Sequence, residues 1–597
     1  MNIKTILTQK VSIAVKELYG VEIPENLVQF QPTRKEFAGD LTIVVFPFLK
    51  LSKKTPEKTG EDIGNYLINN VSAVTKFNVI KGFLNIEISA EYWISVLNEI
   101  YITEKYGYKT ISDSSDLVVI EYSSPNTNKP LHLGHIRNNL LGFSLANILL
   151  ASGKKVIKVN LINDRGIHIC KSMLAYELFG EGKTPQTENQ KGDHFVGDFY
   201  VLFEKEYRKQ VADLIATGKT KEEAEKVAEL LCSAQEMLRK WEAGDAKVKN
   251  LWQKMNNWVY EGFHKTYQRL GVNFDKFYYE SQTYMLGKDE VLKGLDSGVL
   301  EKEADGSVWA DLTADKLDRK ILLRGDGTSV YMTQDIGTAI TRYEELKFNK
   351  HIYVVGNEQN YHFKVLALIL KQLGYKWADA LLHFSYGMVE LPQGKMKSRE
   401  GTVVDADDLM DAMLETAEKM ANEHGKLDGM EKHEIENTLN AISLGALKYF
   451  ILKVDPKKSM MFNPEESIDF NGNTGPFVQY AYTRSRSILR KADEKGFDFR
   501  NNKVTSLEIT TKEIELIKNI HRFEDTLFDA AENLSPAIIA NYAYDLAKEF
   551  NQFYHELPIL KEENEEIRNF RIRLAETVGK IIKQSLELLG INVPERM

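Results

Sequence analysis

Cysteine is almost absent from this chain of 597 residues: Cys170 and Cys232 are the only two, far apart and without C-x-x-C spacing. Neither a disulfide framework nor a cysteine zinc site can be built from them. Long apolar runs are missing too. No stretch reaches the length of a membrane span, and the start, "MNIKTILTQKVSIAV", has no apolar core ahead of a small-residue cleavage site. The expected setting is the cytoplasm, with no membrane partner. Excess positive charge is also lacking: 77 Lys and Arg stand against 86 Asp and Glu, a net charge of −9. That excludes a uniformly basic nucleic-acid coat. It leaves room for a local basic groove, because net charge governs solubility and non-specific binding rather than one patch. There is no internal repeat and no low-complexity tail.

What is present is the composition of an ordinary soluble globular protein, long enough for roughly three or four units. Residues 1–115 mix a helical start with strand-like runs such as "LTIVVFPF" and "GFLNIEI", and close on the linker "SDSSD". "LVVIEY", Leu117 to Tyr122, reads as a buried strand, and a helix is predicted from about His135 to Ala151 with Leu141, Leu145, Ile148 and Leu149 on its apolar face. "KVIKVNLI" follows as a strand, so the pair is parallel with a right-handed crossover. Residues 171–270 read as a charged helical insertion, and 292–333 as a strand-rich one with Asp-Gly turns. Strand, helix and strand then resume in "HIYVVG", "YHFKVLALILKQLG" and "LLHFSYGMVEL", and from about Asn463 the chain reads as helical.

Between the first strand and its helix stands "YSSPNTNKPLHLGH", Tyr122 to His135. Ligands of open α/β sheets bind at the carboxyl ends of strands, and a helix start there offers N–H groups and partial positive charge to phosphate. Asn126, Lys129, His132 and His135 all fall at that place, and Gly134 lets a ligand approach the backbone. The chemistry expected is polyphosphate binding with stabilisation of negative charge.

"HLGH", His132 to His135, resembles the His-Ile-Gly-His signature of class I aminoacyl-tRNA synthetases. The longer string "EYSSPNTNKPLHLGHIRNNLLG" resembles the arginyl-tRNA synthetases specifically. So do "ESQ" at Glu280, "YMTQD" at Tyr331, "VVGNEQNYHF" at Val354, "GNTGPFVQYAYTRSRSILRK" at Gly472 and the ending "LELLGINVPERM". The matches run in family order from about Gly39 to the last residue. The resemblance implies an α/β Rossmann-type catalytic domain with insertions over residues 116–462. An α+β N-terminal domain that binds the tRNA elbow precedes it (1–115), and an all-α helical-bundle anticodon-binding domain follows (463–597). It implies that L-arginine and ATP give arginyl-adenylate and pyrophosphate, and that arginine then passes to the 3′-terminal adenosine of tRNA(Arg), on the 2′-hydroxyl. Mg²⁺ would arrive with ATP, with no dedicated protein metal site, and the family expectation is a monomer.

Residue by residue, the resemblance makes His132, His135 and Lys129 catalytic. It places ATP on His132, Gly134, His135, Gly356, Met388, Lys395, Lys397, Ser398 and Arg399. The second class I signature, Lys-Met-Ser-Lys-Ser, is altered here to "KMKSRE", with serine and second lysine exchanged. Lys129 is then the best candidate for the missing cation. The guanidinium of the substrate calls for carboxylates in bidentate reach, and the resemblance places Glu280, Tyr331 and Asp335 around it, with Glu121, Asn126 and Gln359 near the α-amino and carboxylate ends. Tyr331 and Asp335 are four apart and share a helix face if that segment is helical.

For RNA, "FVQYAYTRSRSILRK" interleaves aromatic and basic residues. The resemblance selects Phe477, Tyr480, Tyr554 and Met597 for the anticodon side and Phe83 and Asn85 for the elbow; most other aromatics at helical spacing are expected in the core. A small nucleotidyltransferase shares His-x-Gly-His but needs no large helical domain. A cysteinyl enzyme would need zinc ligands, and valyl, leucyl and isoleucyl enzymes an editing insertion. A non-catalytic tRNA-binding protein would not need His132, His135 and Lys129 together.

Overall fold

Apolar alternation sets the first sheet of this computed structural model, which describes residues 3–34, 36–390, 404–423, 430–469, 472–500 and 507–597. Strands β1 (Phe30–Pro32), β2 (Leu41–Val44), β3 (Val74–Ile80) and β4 (Phe83–Ile88) pair antiparallel in the order β1-β2-β4-β3. Ile43, Leu84 and Ile86 are buried. The helix Pro56–Asn70 lies close on β3 because Gly60 and Gly64, one turn apart, face Val79 and Phe77. This α+β domain lies in the first of two units into which the chain divides, Met1–Tyr106 with Ser485–Arg522 and Lys548–Gly579. Within that unit the helix Thr511–His521 packs on Ala90–Ile102, and Arg571 Nε pairs with buried Glu513 at 2.7 Å.

The second unit comprises Gly107–Arg484, Phe523–Ala547 and Lys580–Met597. Its centre is a parallel sheet of β5 (Leu117–Glu121), β6 (Lys155–Ile162), β7 (Lys276–Tyr279), β11 (Lys350–Gly356) and β12 (Leu381–Tyr386), in the order β12-β11-β5-β6-β7. Val118, Val119, Ile120, Val159, Ile352 and Val354 are the apolar strand residues that both faces bury. The chain leaves β5 for β6 on one side and returns as β11 on the other. The order therefore reverses between β5 and β11, and their carboxyl ends border the switch-point crevice where open α/β sheets hold ligands.

The helix that follows β5 runs Leu133–Ala151, two residues earlier than its sequence suggests, with His132 as N-cap. It is buried on nearly every side, Arg137, Asn138 and Asn139 included, which explains its weak amphipathic pattern. Residues 171–270 are helical, with Gly192–Ala216 and Ala246–Leu270 the longest pieces. The expected strand-rich stretch 292–333 is corrected in part. It contains β8 (Glu301–Lys302), β9 (Val308–Ala310) and β10 (Lys320–Leu323), which form one antiparallel sheet. The helix Lys288–Asp296 reaches into its start, and its last residues open the helix Tyr331–Leu346. Helices Gly475–Glu494, Thr511–His521, Phe523–Glu532, Pro536–Glu556 and Glu565–Leu588 end the chain.

Gly142 is what lets the helix Leu133–Ala151 settle on the end of β5. A methyl group there would enter the space of the buried Tyr122 ring at its Cβ and Cγ. Overpacking a full core costs about 1–3 kcal/mol. Gly142→Ala is expected to lower the thermal midpoint accordingly; an unchanged midpoint would show that helix and strand are not in close register.

Candidate active site

The chain leaves β5 through two consecutive left-handed residues that are not glycine, Ser123 (φ 76°) and Ser124 (φ 46°). Such conformations cost on the order of 1–3 kcal/mol each and persist only when the surroundings over-determine them. Here two buried amides do so. Asn138 Oδ1 accepts the Ser123 N–H at 2.5 Å, and Asn160 Oδ1 accepts that of Ser124 at 3.0 Å. Ser123 Oγ and the Tyr267 hydroxyl are bonded at 2.7 Å. The sharp bend carries Pro125–Lys129 across the strand ends, where the Thr127 N–H bonds Asn163 O and the Asn163 N–H bonds Pro125 O. Asn126 is exposed on this crossing.

His132 and His135 form a reciprocal cap on the helix start. The Gly134 N–H donates to His132 Nδ1 at 3.1 Å, and the His132 N–H donates to His135 Nδ1 at 3.2 Å. The rings lie 4.0 Å apart. A neutral imidazole that accepts at Nδ1 carries its proton on Nε2. Both rings are neutral: burial, helped by the charge of Lys129, pushes His132 down to about 4, and burial with His132 and Lys129 holds His135 well below its usual range. Each histidine therefore presents an Nε2–H donor. The helix start itself offers fewer open N–H groups than expected, because those of Leu133 and Gly134 are taken by Val404 O and His132 Nδ1. The polar groups left beside it are the imidazole Nε2–H groups and Lys129.

Across the crevice, Gly356 ends β11 and Gln359 closes the exposed turn Asn357–Gln359. Arg137, wholly buried, donates from Nη2 to Pro456 O (3.2 Å) and Lys458 O (2.7 Å). This segment meets Gly387 and Met388 through backbone bonds from Gly387 N–H to Pro456 O and from Met460 N–H to Met388 O. Lys395, Lys397, Ser398 and Arg399 lie outside the described residues.

The acidic groups gather on the other side. Glu280 begins a short helix directly after β7. Burial, with Asp164 and Asp335 near by, pushes its carboxyl up to about 7 against the pull of Arg165. Asp335 Oδ2 is 2.6 Å from His362 Nε2. Tyr331 and Asp335 do share a helix, and Tyr331 at its first position is 77% exposed. Glu121 stands apart from this pair: it is buried in an ion pair with Arg342, itself 1% exposed, and accepts the Ser124 hydroxyl at 3.3 Å. Asp164 accepts from Ser281 N–H (2.8 Å), Ser281 Oγ (2.7 Å) and the Tyr260 hydroxyl (2.8 Å). Arg165 stacks on Tyr284 at 4.0 Å and bonds Glu242 at 2.6 Å. Asn138, Asn160, Arg342, Asp164 and Arg165 were not singled out from sequence; polar residues inside the run "HIRNNLLG" were the available signal.

Of the RNA candidates, Phe477 is partly buried against Tyr544 (5.2 Å between rings), Tyr480 lies under the Arg484 guanidinium (5.0 Å), and Met597 is partly exposed. In the other unit Tyr554 is 40% exposed, whereas Phe550 and Phe553 are core. Phe83 is partly exposed and meets Phe46 edge-on at 5.6 Å. Asn85 needs correction as a surface group. It is 1% exposed, with Nδ2 donating to Asn78 Oδ1 at 2.8 Å and Oδ1 accepting from the Thr42 hydroxyl at 2.5 Å.

A parallel sheet whose switch point carries His-x-Gly-His on a helix start fits a class I aminoacyl-tRNA synthetase, and the matches along the whole chain decide for that class over a small nucleotidyltransferase. A family model for class I tRNA synthetases (R), catalytic domain, matches residues 97–463, and one for the DALR anticodon binding domain matches residues 478–597. The chain is 58% identical over 597 residues to the arginine–tRNA ligase of Bacteroides thetaiotaomicron, covering 100% of each. It is 55% identical over 609 residues to that of Flavobacterium psychrophilum, again covering 100% of each. Its fold is similar to that of Thermus thermophilus arginyl-tRNA synthetase (TM-score 0.78, 24% identity, 100% of each chain). It is also similar to Mycobacterium tuberculosis methionyl-tRNA synthetase (TM-score 0.51, 12% identity, 79% of this chain and 91% of that). The chain belongs to the arginyl-tRNA synthetase family.

The expectation that Glu280, with its raised carboxyl, faces the guanidinium gives a testable pH dependence. A cationic side chain favours the ionised carboxylate, so arginine binding should strengthen as pH rises through about 7 and level off above it. One unit below that value about a tenth of Glu280 is ionised, so the KM for arginine should rise toward tenfold between pH 8 and pH 6. Glu280→Gln should give a weak and nearly pH-independent KM. A wild-type KM that is flat over this range would exclude Glu280 from the guanidinium site.

Proposed function

We propose that the crevice between β5 and β11 divides the aminoacylation of tRNA(Arg) into a donor-rich phosphate side and an acidic arginine side. The enzyme is an ATP-dependent aminoacyl-tRNA ligase, and its substrates are L-arginine, ATP and tRNA(Arg). One arginine carboxylate oxygen attacks the α-phosphorus, the bond to the β-phosphate oxygen breaks, and pyrophosphate leaves with that oxygen's electron pair. The attacking group is the substrate's own, so the protein supplies positioning and charge stabilisation. The Nε2–H groups of His132 and His135 donate to phosphate oxygens, and Lys129 adds the cation. Gly134, Gly356 and Met388 border the nucleotide. Glu280 and Asp335 face the guanidinium with Tyr331 at the mouth, while Glu121, Asn126 and Gln359 lie toward the amino-acid end. In the second step the terminal 2′-hydroxyl of tRNA attacks the acyl carbon and AMP departs.

Mg²⁺ enters as part of the ATP substrate. Among the described residues one acidic group with metal-ligand spacing occurs, Asp193, His194 and Asp407. The Lys191 ammonium stands 3.0 Å from Asp193 and 2.6 Å from Asp407 and already neutralises it. No helix among the described residues is long and apolar enough to cross a membrane. A cytoplasmic monomer, with Phe83, Phe477, Tyr480, Tyr554 and Met597 on its RNA-facing surfaces, accords with this reading. Residues 1–115, 116–462 and 463–597 serve as elbow-binding, catalytic and anticodon-binding domains.

The observation that supports the proposal is the reciprocal cap beside Lys129, in which both Nδ1 atoms accept backbone N–H groups and each neutral ring keeps its proton on Nε2. The measurement is arginine-dependent exchange of pyrophosphate into ATP with tRNA(Arg) present. Asp335→Asn keeps the shape but removes a charged partner of the guanidinium, and charge-assisted hydrogen bonds contribute about 1.5–3 kcal/mol. Its kcat/KM for arginine should fall roughly tenfold or more, with ATP binding unchanged; unaltered arginine dependence would discard the pocket assignment. Lys129→Ala removes a donor aimed at developing charge, worth about 10²–10³ in rate. It should lose at least about a hundredfold in kcat for adenylate formation. Near-normal exchange by Lys129→Ala, with collapse in Lys397→Ala or Arg399→Ala, would move the catalytic cation to the altered second signature.

A further inference from the structure

The first turn of the helix Gly192–Ala216, in the helical insertion, carries an ion cluster on the protein side of the phosphate segment. Lys191 Nζ lies 2.6 Å from Asp407 Oδ2 and 3.0 Å from Asp193 Oδ2. His194 Nε2 lies 3.3 Å from Asp405 Oδ2 and 3.4 Å from Asp407 Oδ2. From a third element, the helix Ala246–Leu270, Thr266 Oγ1 donates to Asp407 Oδ2 at 3.2 Å, and Arg269 bonds Asp407 O and pairs with Asp411 at 2.6 Å. The ammonium of Lys191 fills the place a metal would take between Asp193 and Asp407, so the cluster is an ion network.

Its far side is the active site. Asp405 and His132 are antiparallel bridge partners. The Leu133 N–H bonds Val404 O at 3.1 Å, and the Ala406 N–H bonds Leu131 O at 3.0 Å. Asp405 also caps the helix Ala406–Glu423: Oδ1 accepts the N–H of Asp407 (2.7 Å) and of Asp408 (3.2 Å), which leaves Oδ2 facing His194. Three residues beyond His194, Gly197 abuts Pro130 and the Lys129 backbone, where a methyl group would press on Pro130 Cδ. One helix start thus bears on both flanks of Lys129–His135.

We propose that His194 is a positioning residue for the phosphate site: together with Lys191 it holds Asp405 and Asp407, and through the Asp405–His132 bridge it fixes where His132 and Lys129 stand. It touches neither substrate nor reacting atoms. The inference rests on Lys129–His135 being the ATP site. A displacement of about 1 Å at a catalytic group can cost up to a hundredfold, so the effect should reach ATP kinetics and spare the guanidinium end of the arginine pocket, which stands after β7 and on the helix Tyr331–Leu346. The cluster also supplies a titration. The Asp407 carboxylate first, and then the charges of Asp405 and Asp193, raise the His194 pKa despite burial and the opposing charge of Lys191. Against burial, His194 and Lys191 hold Asp407 down at about 2. A raised histidine pKa means the charged contact is present at low pH and lost as pH rises through it.

The test is pyrophosphate exchange with the full-length enzyme and tRNA(Arg), varying ATP and arginine separately across pH, with circular dichroism melting to check folding. His194→Ala should lose about tenfold in kcat/KM for ATP with the KM for arginine unchanged. In the wild type kcat/KM for ATP should fall along an alkaline limb, and in His194→Gln, which keeps a donor but cannot titrate, that limb should vanish. Folded His194→Ala with wild-type ATP kinetics overturns the proposal, and so does an alkaline limb that persists in His194→Gln. If the alanine variant does not fold, the glutamine variant decides alone. His132→Ala run alongside separates the two levels: intact ATP kinetics there would sink the ATP-site reading, whereas an inert His194→Ala beside a crippled His132→Ala removes only the positioning role.

Discussion

One buried amide fixes the ends of three strands. Asn138, on the helix after β5, accepts the N–H of left-handed Ser123 and donates through Nδ2 to Val354 O of β11 (2.7 Å) and to the Tyr386 hydroxyl of β12 (3.1 Å). Each of these groups is removed from water, so each would carry an unsatisfied polar atom if the amide were lost. The constraint runs outward in both directions. Toward the core it requires the helix to lie flat on Tyr122, which the bare Cα of Gly142 permits. Toward solvent it holds a bend that two non-glycine residues would not adopt on their own, and that bend aims Pro125–His135 across the crevice. Arg137, one residue earlier, ties the same helix to the segment beside Met388. The proposed nucleotide side is therefore built from one helix and the polar residues buried along it.

Burial acts on the two sides of the crevice with opposite sign and similar effect. It pushes the imidazoles of His132 and His135 down, so they are neutral donors, and it pushes Glu280 up toward neutrality. The resting site thus holds fewer uncompensated charges than its residue list suggests, which limits the cost of keeping it dry. Charge is drawn out when a substrate brings its own counter-charge: a guanidinium favours ionised Glu280, while the triphosphate meets donors that need no deprotonation. The free enzyme is spared the several kcal/mol that an unpaired buried ion would cost.

The sheet and the phosphate segment were legible in sequence because their signals are local. "LVVIEY" and "KVIKVNLI" are apolar runs of strand length, and His-x-Gly-His falls between strand and helix; β5 and β6 lie where those runs stand. What escaped was long-range or buried polar chemistry. Glu121 and Arg342 are 221 residues apart, and no spacing announces such a pair. Asn138 and Asn139 look like surface residues on a helix whose all-round burial hides its faces. Asn85 keeps the strand alternation, on the face opposite Leu84 and Ile86, yet it is covered there and satisfied by Thr42 and Asn78. Residues 292–333 read as strand because their Asp-Gly turns are strong, which masked the helix ends at both borders. Family resemblance supplied the arginine pocket; taken singly, Glu280 and Asp335 would have passed for ordinary helix-start carboxylates.

Resident cations decide which carboxylates remain for the substrate. Arg342 cancels Glu121 in a pair buried from water, and its guanidinium also lies over the Tyr278 ring at 4.5 Å. Arg165 is held by Glu242 and the Tyr284 ring, near enough to Glu280 to lower its pKa without bonding it. Among the groups proposed to face arginine, this leaves Glu280 and Asp335 as the pair best able to take a third guanidinium, with His362 Nε2 beside Asp335 at 2.6 Å. Glu121, already neutralised, can accept an ammonium hydrogen bond but adds little net attraction for a second cation. Under the proposed assignment the amino acid is oriented by charge before it is held by shape. A reversed substrate would set its carboxylate against Glu280 and Asp335 and its guanidinium against Lys129, two like-charge encounters in a site of low dielectric. Entered the other way round, the same molecule meets opposite charge at both ends, and its carboxylate arrives beside the imidazole donors where the phosphorus is to be attacked.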